Sequence, residues 1–142
     1  MKHAMFTLLL ALPALAACDA AQGDPPEVAV TQAWCRQAPA GAPTGACYLT
    51  LTANTDDRLV AVETPAAARV EAHEMDMAGG VMRMRGLDGG LALPRGEAVA
   101  FAPGGKHLMI VGPKAPMTAG TGVPLVLEFE KAPRRAVTAT VR

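Results

Sequence analysis

Prolines and glycines cut this chain into short pieces, and that punctuation limits the fold more than any other feature. From residue 28 onward, Pro43, Pro65, Pro94, Pro103, Pro113, Pro116 and Pro133 stand at the boundaries of short runs. Proline gives no N–H to a helix interior or a central strand, so it marks ends. Between the breaks, apolar and polar residues alternate, which is the period of a half-buried strand. Val28–Trp34, Ala46–Ala53, Leu59–Val62, Ala68–Met77, Val81–Arg85, Glu97–Phe101, Lys106–Val111, Val123–Glu130 and Ala136–Val141 are expected as strands. Ala66–Val70 is compatible with one helical turn, and no long amphipathic helix emerges. The pattern predicts an all-β chain, an antiparallel β-sandwich or barrel.

A length of 142 residues allows one domain. Aromatic residues make up only 4% of it, so the core must be built from Val, Leu, Ala and Met. Formal net charge is zero, and no basic stripe suggests nucleic acid as a partner.

Residues 1–17 read as an export signal: Lys2, then an apolar run from Ala4 to Ala14, then small residues. The run is too short for a spanning helix, which needs about 20 residues. Leu15-Ala16-Ala17-Cys18 has the form of a lipoprotein box, with Cys18 as the lipidated first mature residue. Ordinary cleavage near Ala17 to Ala20 is the alternative. Both place the protein outside the cytoplasm, in the periplasm, and the first anchors it to a membrane. Residues 18–27 are small, polar and proline-bearing, and read as a flexible tether to a domain over 28–142. Cys35 and Cys47 remain. An even pair in an oxidising compartment predicts a disulfide across the turn-rich segment between them. The competing reading, metal binding or electron shuttling, lacks a C-x-x-C spacing.

The chemistry gathers between His73 and Met109. Both histidines outside the signal, His73 and His107, lie there, with Met75, Met77, Met82, Met84 and Met109. Gly79-Gly80 is a two-residue hairpin signal, since both residues can adopt positive φ. That register sets Ala78 opposite Val81, Met77 opposite Met82 and Met75 opposite Met84. Alternation then puts His73, Met75, Met77, Met82 and Met84 on one face, and His107 with Met109 on one face of a later strand. Glu74 and Asp76 point away. Methionines also fill cores, but five of them in phase around both histidines favour a site. Thioether plus imidazole is a soft, neutral donor set suited to Cu(I), and poor for Zn(II), Mg(II) or Ca(II). His73, Met84, His107 and Met109 are expected as ligands. Met75, Met77 and Met82 are expected as auxiliary ligands or as packing.

At these residues the chain resembles the PCu(A)C family of periplasmic copper chaperones. The family motif is a histidine, ten residues, a methionine, roughly twenty-one residues, then His-x-Met. Here ten residues separate His73 from Met84, 22 separate Met84 from His107, and His107-Leu108-Met109 closes the motif. The likeness extends to Ala42–Thr50, to D-D-R-L-V, to P-A-A-A-R-V-E-x-H-E-M and to Gly104–Met109. It implies a cupredoxin-like sandwich, Cu(I) held by two His and two Met, and delivery towards the Cu(A) site of cytochrome c oxidase. The partner would be an oxidase subunit or another copper assembly factor, and the chain a monomer. Two departures stand out. Cys35 and Cys47 fall where small residues are expected, and no His- and Met-rich tail follows Val141-Arg142. A periplasmic copper buffer or resistance protein without a dedicated acceptor is the alternative. An enzyme is not expected: a blue-copper centre needs a cysteine thiolate beside two histidines, and no Ser-His-acid pattern is present.

Overall fold

The structure, a computed structural model, describes residues 23–142. The signal segment, Cys18 and the first part of the tether lie outside the described residues. Ten strands follow: β1 (Val28–Cys35), β2 (Thr44–Ala53), β3 (Asp57–Glu63), β4 (Ala67–Asp76), β5 (Arg83–Gly86), β6 (Leu91–Leu93), β7 (Ala98–Phe101), β8 (His107–Pro113), β9 (Gly122–Phe129) and β10 (Arg135–Val141). The expected all-β sandwich is what forms. Only β6 has no counterpart in the sequence reading, because three residues are too few to show alternation. Ala66–Val70 does not form a helical turn. Val70 instead packs on the core and pairs with Ile110. No helix among the described residues is long and apolar enough to cross a membrane.

The strands form one sheet in the order β5-β4-β8-β2-β1-β10-β9-β3-β6, with β7 also on β2. The sheet folds over so that its inner face encloses Leu49, Leu51, Leu93, Leu108, Ile110, Leu125 and Leu127. Fully burying one such side chain stabilises the fold by about 1.5–3 kcal/mol. All pairings are antiparallel but one: β1 and β10 run parallel, with Trp34 beside Thr140 and Cys35 beside Val141.

β2 organises the centre. One edge pairs with β1; the other is shared by β8 over Thr44–Cys47 and β7 over Leu49–Thr52. β1 carries a bulge between Thr31 and Trp34, where Gln32 has a φ of 54°. Left-handed backbone is unfavourable for a residue with a Cβ, and here it is held by the pairing on both sides. The extra residue has a consequence further along. Without it Cys35 would face Ala46, whereas with it Cys35 faces Cys47. The two sulfurs are bonded, with Cα atoms 4.0 Å apart and both residues wholly buried.

Two polar anchors finish the frame. Asn54 accepts the Glu27 N–H at 2.7 Å and donates to the Pro25 carbonyl at 2.9 Å. The end of the stretch read as a tether is therefore tied to the domain. Asp57, buried at the start of β3, accepts backbone N–H groups from Arg58, Lys131 and Ala132. Burial pushes its carboxyl up, but those three donors together outweigh burial and hold it below its ordinary value.

A disulfide closing a loop of this size contributes about 2–3 kcal/mol by restricting the unfolded chain. Replacing both cysteines by alanine (C35A/C47A) is expected to lower unfolding free energy by about that amount, read by denaturant titration. An unchanged midpoint would mean that the bulged register holds without the covalent link.

Candidate metal centre

The site is assembled from β4, its hairpin partner β5, and β8 on the other edge. Leu108 and Ile110 of β8 are buried, and opposite them in the ladder Ala72 and Val70 of β4 pack on the same core. Strand alternation therefore turns the intervening residues outward. His107 and Met109 on β8, and Glu71, His73 and Met75 on β4, share that outer face. His73 lies directly opposite His107, and Glu71 opposite Met109. On β5, Met84 faces Met75 and Gly86 faces His73. Gly86 has no side chain, and the Asp88 carboxylate lies 3.1 Å from where its Cβ would stand.

Three of the expected donors, His73, Met84 and His107, come together. Met84 reaches across β4 to place its Sδ 3.2 Å from His107 Nε2. The His73 and His107 rings meet edge to face, with centroids 5.7 Å apart. His107 Nδ1 sits 3.3 Å from the Gly105 carbonyl. A carbonyl oxygen is a far better acceptor than a thioether, so the proton belongs on Nδ1 and Nε2 carries a lone pair. In that tautomer Nε2 and Sδ are two lone-pair donors facing each other. His73 is deeper, its side chain 13% exposed, with Nε2 3.1 Å from Glu71 Oε2. Its Nδ1 is buried and has no hydrogen-bond partner among the described residues. An orphaned imidazole nitrogen of this kind is what a bound metal would satisfy.

Other expected positions differ. Gly79 and Gly80 have the anticipated positive φ, 67° and 76°. Pairing nevertheless ends at Asp76 and Arg83, and Ala78–Gly80 form a 3-10 turn. Met77 and Met82 therefore lie in the loop, not opposite each other in the ladder, and are 59% and 58% exposed. Beyond the sheet edge they have no core to pack on, so nothing rewards extending the ladder. Met109 shares the outer face with the histidines, beside Glu71. Cys35 and Cys47 are committed to the disulfide and belong to the core. No three His, Cys, Asp or Glu side chains among the described residues cluster to hold a metal ion. What converges here is imidazole with thioether, a soft set.

Glu71 is the residue that sequence reading missed. It lies two residues from His73, and Arg69 lies two residues from it, so R-V-E-A-H places all three on one face. Arg69 Nε bonds Glu71 Oε1 at 2.6 Å. On the opposite face Glu74, as expected, is turned away from the donors. It is bonded by Lys106 Nζ at 3.0 Å and Arg85 Nη2 at 3.1 Å. This cluster ties β5, β4 and the start of β8 together behind the site.

The sequence matches the model of a family described as "Putative lipoprotein LpqE-like" over residues 28–141. The chain belongs to this family. A curated relative, "Putative lipoprotein Lxx21020" of Leifsonia xyli subsp. xyli, is 31% identical over 118 residues, covering 83% of this chain and 70% of the relative. Among solved structures, the copper-bound PCuAC domain from PmoF2 is 26% identical and superposes with a TM-score of 0.67, covering 81% of this chain and 92% of that one. The Cu(I) form of DR1885 from Deinococcus radiodurans is 27% identical, with a TM-score of 0.62, covering 86% and 81%. The LpqE-like chain thus has the fold of PCuAC domains.

Two carboxylates beside the site titrate low. The Arg69 guanidinium holds Glu71 below the ordinary glutamate value of 4.5, and Lys106, then Arg85, does the same for Glu74. A depressed folded-state value gives stability above the ordinary value and loses it as pH falls through the lowered one. Thermal midpoints are expected to drop as the pH falls below 4.5, and to drop less steeply in E74Q. Equal slopes would show that the Glu74 contacts add nothing to folding.

Proposed function

We propose that this chain is a Cu(I)-binding metallochaperone that works outside the cytoplasm. The observation that carries the reading is the convergence of His73, His107 and Met84, with the Met84 sulfur 3.2 Å from Nε2 of His107. His73, Met84, His107 and Met109 form the ligand set, two imidazoles and two thioethers. Such donors are neutral and soft, and match Cu(I) better than Zn(II) or a hard cation. Structures of similar fold named as copper-bound support the choice of metal.

Copper is cargo in this reading. Met84 is 52% exposed, and exposed Met77 and Met82 lie at the same end of the hairpin. An acceptor can therefore approach the thioether side and exchange ligands one at a time. Delivery towards the Cu(A) site of cytochrome c oxidase is the finer proposal, with an oxidase subunit or another assembly factor as acceptor. The chain acts as a binding protein, not an enzyme. The lipoprotein names of the family and of the relative support an anchor at Cys18, facing the periplasm.

An anaerobic titration with Cu(I) against a chromophoric chelator tests the site. One equivalent is expected for the parent. H73A and H107A should lose it, and M109L should weaken it about tenfold or more, at least about 1.4 kcal/mol. Parent-like binding by all three variants would remove the ligand assignment. Transfer from the loaded chain to a soluble Cu(A) domain then separates a chaperone from a copper buffer.

A further inference from the structure

Three features lie outside the proposed ligand set: the exposed methionine loop, the buried disulfide and the carboxylate beside His73. The last is the best defined. Arg69, Glu71 and His73 form a chain along the outer face of β4, from Arg69 Nε to Glu71 Oε1 at 2.6 Å and from Glu71 Oε2 to His73 Nε2 at 3.1 Å. Each carboxylate oxygen has its own partner, so the group is held in place from both sides. Glu71 also stands opposite Met109 in the β4–β8 ladder, at the edge of the donor cluster.

An Arg–Glu pair this exposed contributes little to stability on its own. Its significance lies in what it does to the histidine. A carboxylate accepts hydrogen bonds and cannot donate one when ionised. Its contact with Nε2 therefore requires an N–H there. In the neutral ring the lone pair is then on Nδ1, the buried atom that lacks a partner among the described residues. Ligating histidines characteristically donate their second ring N–H to a carboxylate or carbonyl, which fixes the tautomer and makes the other nitrogen more basic. His107 fits the same arrangement with the nitrogens exchanged: Nδ1 lies 3.3 Å from the Gly105 carbonyl, and Nε2 lies beside Met84.

We propose that Glu71 is a positioning residue of the metal site, holding His73 as its Nε2–H tautomer so that Nδ1 is the nitrogen offered to copper. The two histidines then bind through different atoms, Nδ1 of His73 and Nε2 of His107. Glu71 itself stays outside the ligand set. This rests on the copper reading above, but the tautomer can be measured without any metal.

The experiment is two-bond proton–nitrogen NMR of the imidazoles in the full domain, first without metal and then with one equivalent of Cu(I), for the parent, E71L and E71Q. Cu(I) competition is measured on the same samples. In the parent, His73 is expected as the Nε2–H form, with Nδ1 the resonance most displaced by Cu(I). E71L, which keeps the bulk and loses the acceptor, should mix the tautomers and weaken Cu(I) binding by roughly 10–100-fold. Its thermal midpoint should stay close to the parent's. E71Q retains an acceptor oxygen and should recover both the tautomer and most of the affinity. A parent His73 protonated on Nδ1, an E71L variant with parental tautomer and affinity, or an E71Q variant as weak as E71L would each overturn the proposal. If the parent binds Cu(I) while E71L is unaffected, only the Glu71 role falls. If the parent binds no Cu(I), the copper reading falls and takes the ligand role of Nδ1 with it.

Discussion

The site depends on the burial of Leu108 and Ile110. These two residues fix which face of β8 meets the core, and Ala72 and Val70 opposite them do the same for β4. His107 and Met109 have no other freedom: with their neighbours buried, they must face out. A slip of one residue would turn Leu108 and Ile110 to water and bury an imidazole without partners. Exposing the two aliphatic side chains alone costs about 3–6 kcal/mol. The geometry of the candidate site is thus specified by residues outside it. The same row of the sheet runs on through Cys47, which pairs with Leu108 on one side and is bonded to Cys35 on the other. The disulfide sits behind the His-x-Met segment and fixes the strand against which it is laid.

The two faces of the β4–β5–β8 region separate charge from soft donors. Glu74 is paired with both Arg85 and Lys106 on one face. His73, His107, Met75 and Met84 occupy the other. Strand alternation does this without any special device, since H-E-M and K-H-L-M place opposite chemistries at adjacent positions. Placing the ion cluster behind the sheet keeps its side chains from competing for the donor face. Glu71 is the exception, a charge on the donor face, and it is there compensated by Arg69 and engaged by His73.

Much of this was legible in the sequence, and the parts that were not have identifiable causes. Alternation located nine of the strands, and the Gly79-Gly80 signal set the β4–β5 register correctly, with Met75 opposite Met84. It overstated how far the ladder runs, because a turn signal says nothing about whether flanking side chains find a core. Pairing of Cys35 with Cys47 followed from their number and compartment. Its mechanical basis did not, because it needs an extra residue at Gln32–Ala33, and bulges leave no composition signature. The parallel β1–β10 contact joins strands from opposite ends of the domain, and local patterns carry no information about that. Glu71 could have been found. Alternation turns Glu74 and Asp76 away from the ligands. The same two-residue period places Glu71 and Arg69 on the ligand face.

Exposure within the donor set is graded, and the gradient bears on how cargo would leave. The His73 side chain is 13% exposed, Met84 is half exposed, and Met77 and Met82 are more exposed still. On the copper reading, His73 lies towards the inside of the site and the Met84 thioether towards the outside, while the Met109 thioether stays on the interior strand β8. A thioether is a neutral, weakly basic donor, so the outermost bonds are the ones most readily exchanged for an incoming ligand. A rigid sheet with both histidines on directly paired positions cannot open them independently. Release would therefore begin at Met84, carried on the short β5 strand at the edge of the sheet, and the imidazoles would let go last. On the proposed copper reading, the topology would put Met84 on the edge strand and the histidines on the interior pair, an arrangement suited to a carrier.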